Sequence, residues 1–185
     1  MKSFKMLRTL RLLLKQYFFD PVGFDGIVAP PLTIKGKKSI NFGRNLKVGN
    51  NFRVEAIDSY YGYKFNPRIY LGDNISINNN VHIGAINKVE IGENCLIGSN
   101  VLITDHGHYT EGLDTPYKEM PLFSKGPVCI QKNVWIGDSV CILPNVTIGE
   151  NSIIGAGSVV TKSFAKNSII AGNPASKIKD VNNEK

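Results

Sequence analysis

The chain has 185 residues, 42% of them apolar, and a formal net charge of +7 at pH 7. This length is typical of one globular domain, and the absence of any run of roughly 18 apolar residues argues against a transmembrane helix. Three cysteines without a paired spacing argue against a disulfide framework and predict a reducing, cytoplasmic location. The excess of Lys and Arg favours anionic partners, but no basic segment interleaved with aromatic residues is present, so no nucleic-acid partner is expected.

Residues 1–20 are predicted to form an N-terminal amphipathic helix. Basic residues recur at intervals of three or four and share one face, while apolar residues occupy the other. Asp20-Pro21 ends the helix, because the residue before a proline avoids the α region. Two interpretations stay open: the helix packs on this chain or on a neighbouring subunit, or it makes a peripheral contact with an anionic membrane.

Residues 21–68 are predicted to hold irregular first coils and an aromatic loop. Partial apolar repeats occur at Ile34, Ile40, Phe42, Val48 and Val54. The segment 55–68 then breaks the pattern and carries Tyr60, Tyr61 and Tyr63. These rings are suited either to lining a sugar site or to packing over the edge of a coil.

From Leu71 to Val160 an apolar residue recurs every six positions, with a second small or apolar residue two places before it. The recurring residues include Leu71, Ile77, Ile83, Ile91, Ile97, Ile103, Ile130, Ile136, Ile142, Ile148, Ile154 and Val160. A helical period of about 3.6 cannot produce this pattern. It predicts a β-helix, in which each short strand buries its inward residues against neighbouring coils. Gly and Asn recur between the strands, and both tolerate the positive φ of tight corners.

One long loop, residues 104–127, interrupts the repeat, and a basic tail, residues 176–185, follows it with a predicted final helical turn. A long irregular segment inside a regular solenoid is usually functional. The loop opens with Asp105, His106 and His108. Histidine is suited to proton transfer near neutral pH, and an aspartate can orient an imidazole.

Four segments carry a resemblance to a known family: 133–137 (NVWIG), 144–149 (PNVTIG), 155–162 (GAGSVVTK) and 172–175 (GNPA). Over roughly residues 70–178 the chain resembles the hexapeptide-repeat acyltransferases, and among them the maltose, galactoside and polysaccharide O-acetyltransferases. The resemblance implies an all-β fold, a left-handed parallel β-helix over residues 69–175. It also implies a homotrimer with active sites between subunits, acetyl-CoA as donor, a saccharide acceptor and no metal.

The resemblance also implies roles for single residues. The family's catalytic histidine lies eight residues after the Asn of an Asn-Val turn, and counting from Asn100 gives His108. His106 is the alternative, since an Asp-His-x-His variant occurs in polysaccharide-modifying members. An asparagine that holds the acceptor in sugar-acetylating members corresponds to Asn80, which otherwise is a plain corner residue.

The donor is expected along the C-terminal coils. Gly137, Ala156, Thr161 and Lys162 match family positions near acetyl-CoA, and a lysine can neutralise a phosphate. Asp138 stands where sugar-acetylating relatives often carry Ser, which alters the expected oxyanion or thioester contacts. Trp135 matches the family tryptophan, as a substrate contact or as packing.

The predicted function is therefore acetyl transfer from acetyl-CoA to a sugar hydroxyl in cell-surface polysaccharide or lipopolysaccharide biosynthesis, with a histidine general base. Three alternatives stay open at this point. The fold also carries γ-type carbonic anhydrases, whose zinc ligands are three histidines, and this chain has His82, His106 and His108. The protein could also be an N-acyltransferase acting on an amino sugar, or a scaffold without catalytic activity.

Overall fold

The structure is a computed structural model that describes residues 26–29, 31–110 and 115–181 of the chain. The predicted N-terminal helix and the end of the basic tail lie outside the described residues, as do residues 111–114 of the long loop. In the described part, no helix is long and apolar enough to cross a membrane.

Three sheets form the walls of the molecule. Sheet A contains, in spatial order, β1 (Gly26–Val28), β4 (Leu46–Val48), β9 (Ser76–Ile77), β12 (Leu96–Ile97), β17 (Trp135–Ile136), β20 (Ile153–Ile154), β22 (Ser168–Gly172) and β23 (Ala175–Asp180). Sheet B contains β2 (Leu32–Lys35), β5 (Phe52–Ala56), β10 (His82–Ala85), β13 (Leu102–Thr104), β18 (Cys141–Ile142) and β21 (Val159–Val160). Sheet C contains β3 (Ile40–Phe42), β8 (Arg68–Leu71), β11 (Lys88–Ile91), β16 (Val128–Ile130) and β19 (Thr147–Ile148).

From β1 to β21 the strands of the coils visit sheets A, B and C in turn, and β22 then returns directly to sheet A; within these sheets all neighbours except β22 and β23 pair in parallel. The chain therefore winds as a three-sided parallel β-helix, which confirms the predicted β-helix. Two antiparallel hairpins leave the coils: β6 (Ser59–Tyr60) pairs with β7 (Tyr63–Lys64), and β14 (Gly107–His108) pairs with β15 (Leu122–Phe123). The described 3-10 helices are Lys37–Ser39 and Tyr117–Glu119.

The core lies between the three sheets and is built from the residues that the period of six predicts to point inward. In sheet B, for example, Val54, Ile83 and Ile103 are aligned by strand pairing and fully buried. Serines replace the second inward residue near the C-terminus, and their hydroxyls find acceptors: Ser158 Oγ donates to the Gly155 carbonyl at 2.6 Å. Burial of these hydroxyls therefore leaves no unpaired polar group at that point.

The corners use asparagine and glycine for different reasons. Corner asparagines adopt positive φ, as at Asn74 (58°) and Asn133 (56°), and their amides hydrogen-bond between successive coils. Most repeat glycines do not have positive φ, so the expectation that they recur because the corners need positive φ is wrong. A Cβ at Gly137 would lie 2.7 Å from the Ala156 amide nitrogen, so glycine is needed there because the next coil approaches closely.

The start of the basic tail is a strand, so the described residues 176–181 do not hold the predicted helical turn, and residues 182–185 lie outside the described residues. Residues 175–180 form β23, which pairs antiparallel with β22. The last parallel strand would otherwise leave a row of unpaired backbone groups, and the returning strand covers that edge.

Candidate active site

The candidate site is a cleft with a volume of 610 Å³ at the end of sheet B where the long loop leaves. It is lined by His106, Gly107, His108, Tyr109, Thr110, Phe123, Lys125, Leu143, Pro144 and Thr161. Because β13, β18 and β21 are neighbours, the residues that follow them come together there. The two loop histidines thus share a cleft with the C-terminal coils.

Asp105 is a buried carboxylate that fastens the start of the loop to the preceding coil. Its side chain is fully buried, and it accepts backbone hydrogen bonds from Ile86 at 2.9 Å and Asn87 at 2.8 Å. His106 Nδ1 lies 2.9 Å from Asp105 Oδ1 and 3.1 Å from Thr104 Oγ1. A carboxylate only accepts hydrogen bonds, so it favours the tautomer of His106 that is protonated on Nδ1.

His108 has a different environment, because it lies on β14 and is exposed. Its ring and the Tyr60 ring form a T-shaped contact, with 5.4 Å between ring centroids and an interplanar angle of 72°. The Tyr60 hydroxyl in turn donates to the Lys118 carbonyl at 2.6 Å. Tyr60 therefore links the hairpin β6–β7 to the long loop, a contact that sequence analysis missed. The only signal for this contact in the sequence was the group of tyrosines in the segment 55–68, which breaks the repeat.

Sequence analysis also missed Glu55, a buried carboxylate on β5 that is 3% exposed. It contacts Lys35 Nζ at 2.7 Å, the Arg53 guanidinium and His82 Nε2 at 3.1 Å. Burial alone would raise the pKa of Glu55, but hydrogen bonds and charge attraction from Arg53 and Lys35 outweigh it and lower this pKa to about 2. Burial, and then the charge of Arg53, lower the pKa of His82, so this ring is neutral near pH 7 and donates from Nε2 to Glu55.

The two histidine–carboxylate pairs, Glu55–His82 and Asp105–His106, approach each other across Gly84. A Cβ on Gly84 would lie 3.2 Å from His106 Cε1 and 3.6 Å from His82 Nε2. A larger residue would press on both imidazoles, so glycine at this position keeps space for the His106 ring.

Replacing Glu55 by Gln should lower the free energy of unfolding by about 2 kcal/mol at pH 7, because two cations and a histidine lose their anion. The native-state pKa of Glu55 is depressed, so its contribution is full above the ordinary glutamate pKa of 4.5 and is lost as the pH falls towards about 2. Urea unfolding of Glu55→Gln and wild type from pH 7 to pH 3 should show the difference in unfolding free energy becoming smaller as the pH falls.

Glu90→Gln is the matched control, since Glu90 forms an exposed pair with Lys88 that is worth at most about 1 kcal/mol. A difference that is constant with pH would contradict this account of Glu55.

The residues predicted to hold the donor fall in two places. Thr161 lines the cleft, and the following Lys162 has its Nζ 5.9 Å from the centroid of the Phe164 ring. Gly137 and Asp138 lie instead between β17 and β18, at the corner that joins sheet A to sheet B, and Ala156 lies between β20 and β21 at the same corner. The structure of a single chain therefore does not bring these three residues to the cleft.

Three residues predicted to contact the donor or the acceptor lie at corners or on the outer surface of the β-helix. Asp138 Oδ1 accepts the Ser99 amide at 2.6 Å and so supports a corner. The Asn80 amide lies in a ladder between Asn51 at 2.9 Å and Asn100 at 3.0 Å. The Trp135 ring is 52% exposed on the outer face of sheet A. A role for each in substrate binding stays a prediction.

The three histidines do not form a metal centre within the chain. Among the described residues, no group of three His, Cys, Asp or Glu side chains is placed to hold a metal ion. The described partners of His82 and His106 are carboxylates and, for His106, a threonine hydroxyl.

Comparisons with known proteins decide the family. Residues 130–162 match the family model described as bacterial transferase hexapeptide (six repeats), and residues 88–107 match hexapeptide repeat of succinyl-transferase. The chain is 37% identical over 164 residues to the candidate lipopolysaccharide biosynthesis O-acetyl transferase WbbJ of Escherichia coli, covering 85% of this chain and 80% of that protein. The chain belongs to the hexapeptide-repeat acyltransferases.

Other relatives of this hexapeptide-repeat acyltransferase agree with that assignment. The galactoside O-acetyltransferase of Escherichia coli is 39% identical over 152 residues, which cover 82% of this chain and 72% of that protein. Two solved structures share the fold at 21% identity. The N-acyltransferase AntD of Bacillus cereus, in complex with dTDP-4-amino-4,6-dideoxyglucose and coenzyme A, has a TM-score of 0.69 and covers 95% of this chain and 90% of that chain. A hexapeptide-repeat acetyltransferase of Vibrio cholerae, complexed with acetyl coenzyme A, has a TM-score of 0.54 and covers 95% and 79%.

These findings confirm the family predicted from the four sequence segments, and with it the prediction that the protein is an acyltransferase. They also remove support from the scaffold and carbonic anhydrase alternatives, since the relatives reported above are acyltransferases over most of this chain. The acceptor is not decided, because the relatives named O-acetyltransferases and the structure named an N-acyltransferase differ in the group that they modify.

Proposed function

We propose that this protein transfers an acetyl group from acetyl-CoA to a hydroxyl of a saccharide, in the biosynthesis of lipopolysaccharide or another cell-surface polysaccharide. The observation that carries the proposal is the cleft, where His106 and His108 lie beside Thr161 of the C-terminal coils. The names of the two relatives at 37% and 39% identity support the O-acetyl reaction and the saccharide acceptor.

His108 is the general base of the proposed reaction. Its imidazole takes the proton of the sugar hydroxyl as the hydroxyl oxygen attacks the thioester carbonyl carbon. A backbone N–H then stabilises the oxyanion, an interaction typically worth about 3 kcal/mol. As the intermediate collapses, the C–S bond breaks, the CoA thiolate takes the proton from the imidazolium, and the acetyl ester remains on the sugar.

His106 and Asp105 position the base in this scheme. His108 is exposed on the cleft wall, where an acceptor from solvent can reach it, whereas the His106 side chain is 14% exposed and is held by Asp105. Fixing His106 fixes the chain two residues before His108. Accessibility therefore favours His108 as the group that touches the acceptor.

The proposed donor site is completed by a neighbouring subunit of a left-handed, homotrimeric β-helix. Gly137, Asp138 and Ala156 lie at the other corner of sheet B from the cleft, so a second chain would have to present them to His108. Trp135 and Asn80 are proposed to contact the acceptor, and Lys162 the phosphates of CoA. The proposed location is cytoplasmic, with residues 1–20 as the candidate contact with the inner membrane surface.

The test separates hydroxyl from amino acceptors. Thiol release from acetyl-CoA is measured with methyl hexopyranosides, with lipopolysaccharide oligosaccharides and with matched amino sugars. We expect release to depend on a hydroxyl acceptor, and the product to lose its acetyl group in mild hydroxide, which cleaves esters but not amides. We also expect CoA to raise the melting temperature, because a ligand of the native state stabilises it. A hydroxide-resistant product would assign an N-acyltransferase, and the absence of both CoA binding and thiol release would refute the proposal.

A further inference from the structure

We propose that the hairpin β6–β7 is the platform on which the acceptor sugar stacks, and that Tyr61 provides the stacking face. The hairpin spans residues 59–64 and projects from the end of β5. This inference rests on the proposed function, because it assigns the acceptor-binding surface of the same reaction.

The position of the hairpin is the first argument. It leaves sheet B after β5, and the long loop leaves the same sheet after β13, with only β10 between these strands. Tyr60 ties the two segments together through its ring contact with His108 and its hydrogen bond to Lys118. The hairpin is thus fixed beside the proposed base, and Tyr61 is one aromatic ring away from it, with 5.0 Å between the centroids of Tyr60 and Tyr61.

The backbone at Tyr61 is the second argument. Tyr61 and Gly62 form the two-residue turn, with φ of 44° and 84°. Such turns strongly favour Asn, Asp or Gly at both positions, and a bulky residue with positive φ costs about 1 kcal/mol or more. Among the described residues, the other non-glycine positions with positive φ are all Asn or Ser. A tyrosine at this position makes the turn less stable, which is consistent with a requirement for its side chain.

Exposure is the third argument. The aromatic residues Tyr61 and Tyr63 of this hairpin are 58% and 50% exposed, so their rings are not needed to fill the core. Tyrosine gives a rigid contact area at low cost in conformational entropy, and its hydroxyl can hydrogen-bond to a ligand. The electron-rich ring face attracts the C–H groups of a pyranose ring, and the phenol hydroxyl is suited to its hydroxyl groups. The chemistry therefore fits a hexopyranose.

The experiment measures acceptor and donor kinetics separately in the full-length protein. Tyr61→Ala should raise KM for the best methyl hexopyranoside roughly tenfold, in line with the loss of one aromatic stacking contact. It should leave KM for acetyl-CoA unchanged, and Tyr61→Trp should restore acceptor binding. Tyr70→Ala is the matched control, because Tyr70 is 46% exposed but lies on sheet C. Saturation-transfer NMR of the same glycosides should show weaker ring-proton signals with Tyr61→Ala than with wild type.

The other outcomes overturn the inference in recognisable ways. An unchanged acceptor KM in Tyr61→Ala, with activity still lost in His108→Ala, would refute the platform and leave the proposed function intact. If Tyr61→Ala weakens the binding of nucleotide-sugar acceptors alone, the Tyr61 ring stacks on the nucleotide base and not on the sugar. A change in oligomeric state by light scattering would assign the hairpin to a subunit contact. If no hexopyranoside accelerates thiol release or binds by NMR in the wild type, the platform fails. The proposed function fails with it only if lipopolysaccharide oligosaccharides also give no thiol release and CoA does not bind.

Discussion

His108→Ala is expected to lower kcat for acetyl transfer at least about a hundredfold, the usual contribution of a positioned general base. The acceptor hydroxyl then has to lose its proton to water, while the cleft and the donor contacts remain. His108 is exposed on a two-residue strand, so its truncation should leave the free energy of unfolding within about 0.5 kcal/mol of wild type. Thiol release at saturating acetyl-CoA and acceptor measures kcat, and urea unfolding checks stability.

The matched variant His106→Ala decides between the two histidines. If His106 positions the loop, its removal should lower kcat less than removal of His108 and should also lower stability, because its Nδ1 leaves Asp105 and Thr104. The pH profile separates the roles further: loss of the base removes the dependence of kcat on the titration of an imidazole, whereas loss of a positioning residue keeps it. A larger loss of kcat in His106→Ala, with near-normal turnover in His108→Ala, would exchange the assignments.

Sequence reasoning reached the fold because the period of six is local. Ile83 and Ile142 were predicted to point inward from spacing alone, and both are fully buried. The same reasoning failed at residues 176–180, because nothing local shows that the last strand of sheet A needs a partner. It also assigned the repeat glycines to unusual φ values. Their real cause, at Gly137, is the approach of the next coil, which a pattern within one coil does not reveal.

The site was predictable only in part, for a related reason. The position of His106 and His108 at the opening of the one long loop marked them without a structure. The contacts that fix their surroundings join different coils: Asp105 with Ile86 and Asn87, and Tyr60 with His108. Such contacts form only between loops that leave neighbouring strands of the same sheet. Which strands are neighbours is set by the strand register and cannot be read from motif spacing. Glu55 escaped notice because a charged residue next to inward Val54 is usually read as solvent-facing.

Asp105→Ala is expected to lower the free energy of unfolding by about 3 kcal/mol. The substitution leaves two backbone N–H groups, those of Ile86 and Asn87, without their buried acceptor, and each such loss costs about 1–3 kcal/mol. Asp105→Asn should cost less, because its amide oxygen still accepts one of these hydrogen bonds. Urea unfolding at pH 7 measures both variants. Asp138→Ala is the control, because the exposed Asp138 carboxylate accepts one backbone hydrogen bond, from Ser99, and its loss should cost about 1 kcal/mol.

Asp105→Ala should also lower kcat, since the loop that presents His108 is no longer fastened to the preceding coil. A positioning role predicts that Asp105→Ala lowers kcat about tenfold or more while KM for acetyl-CoA stays close to wild type, because a small misplacement of the base costs rate and not donor binding. It also predicts partial rescue by Asp105→Asn. If stability fell as expected but kcat did not change, Asp105 would serve the fold alone, and the orientation of His106 would have no part in catalysis. A stable Asp105→Ala protein would contradict the buried hydrogen bonds themselves, because nothing else among the described residues accepts the Ile86 and Asn87 amides.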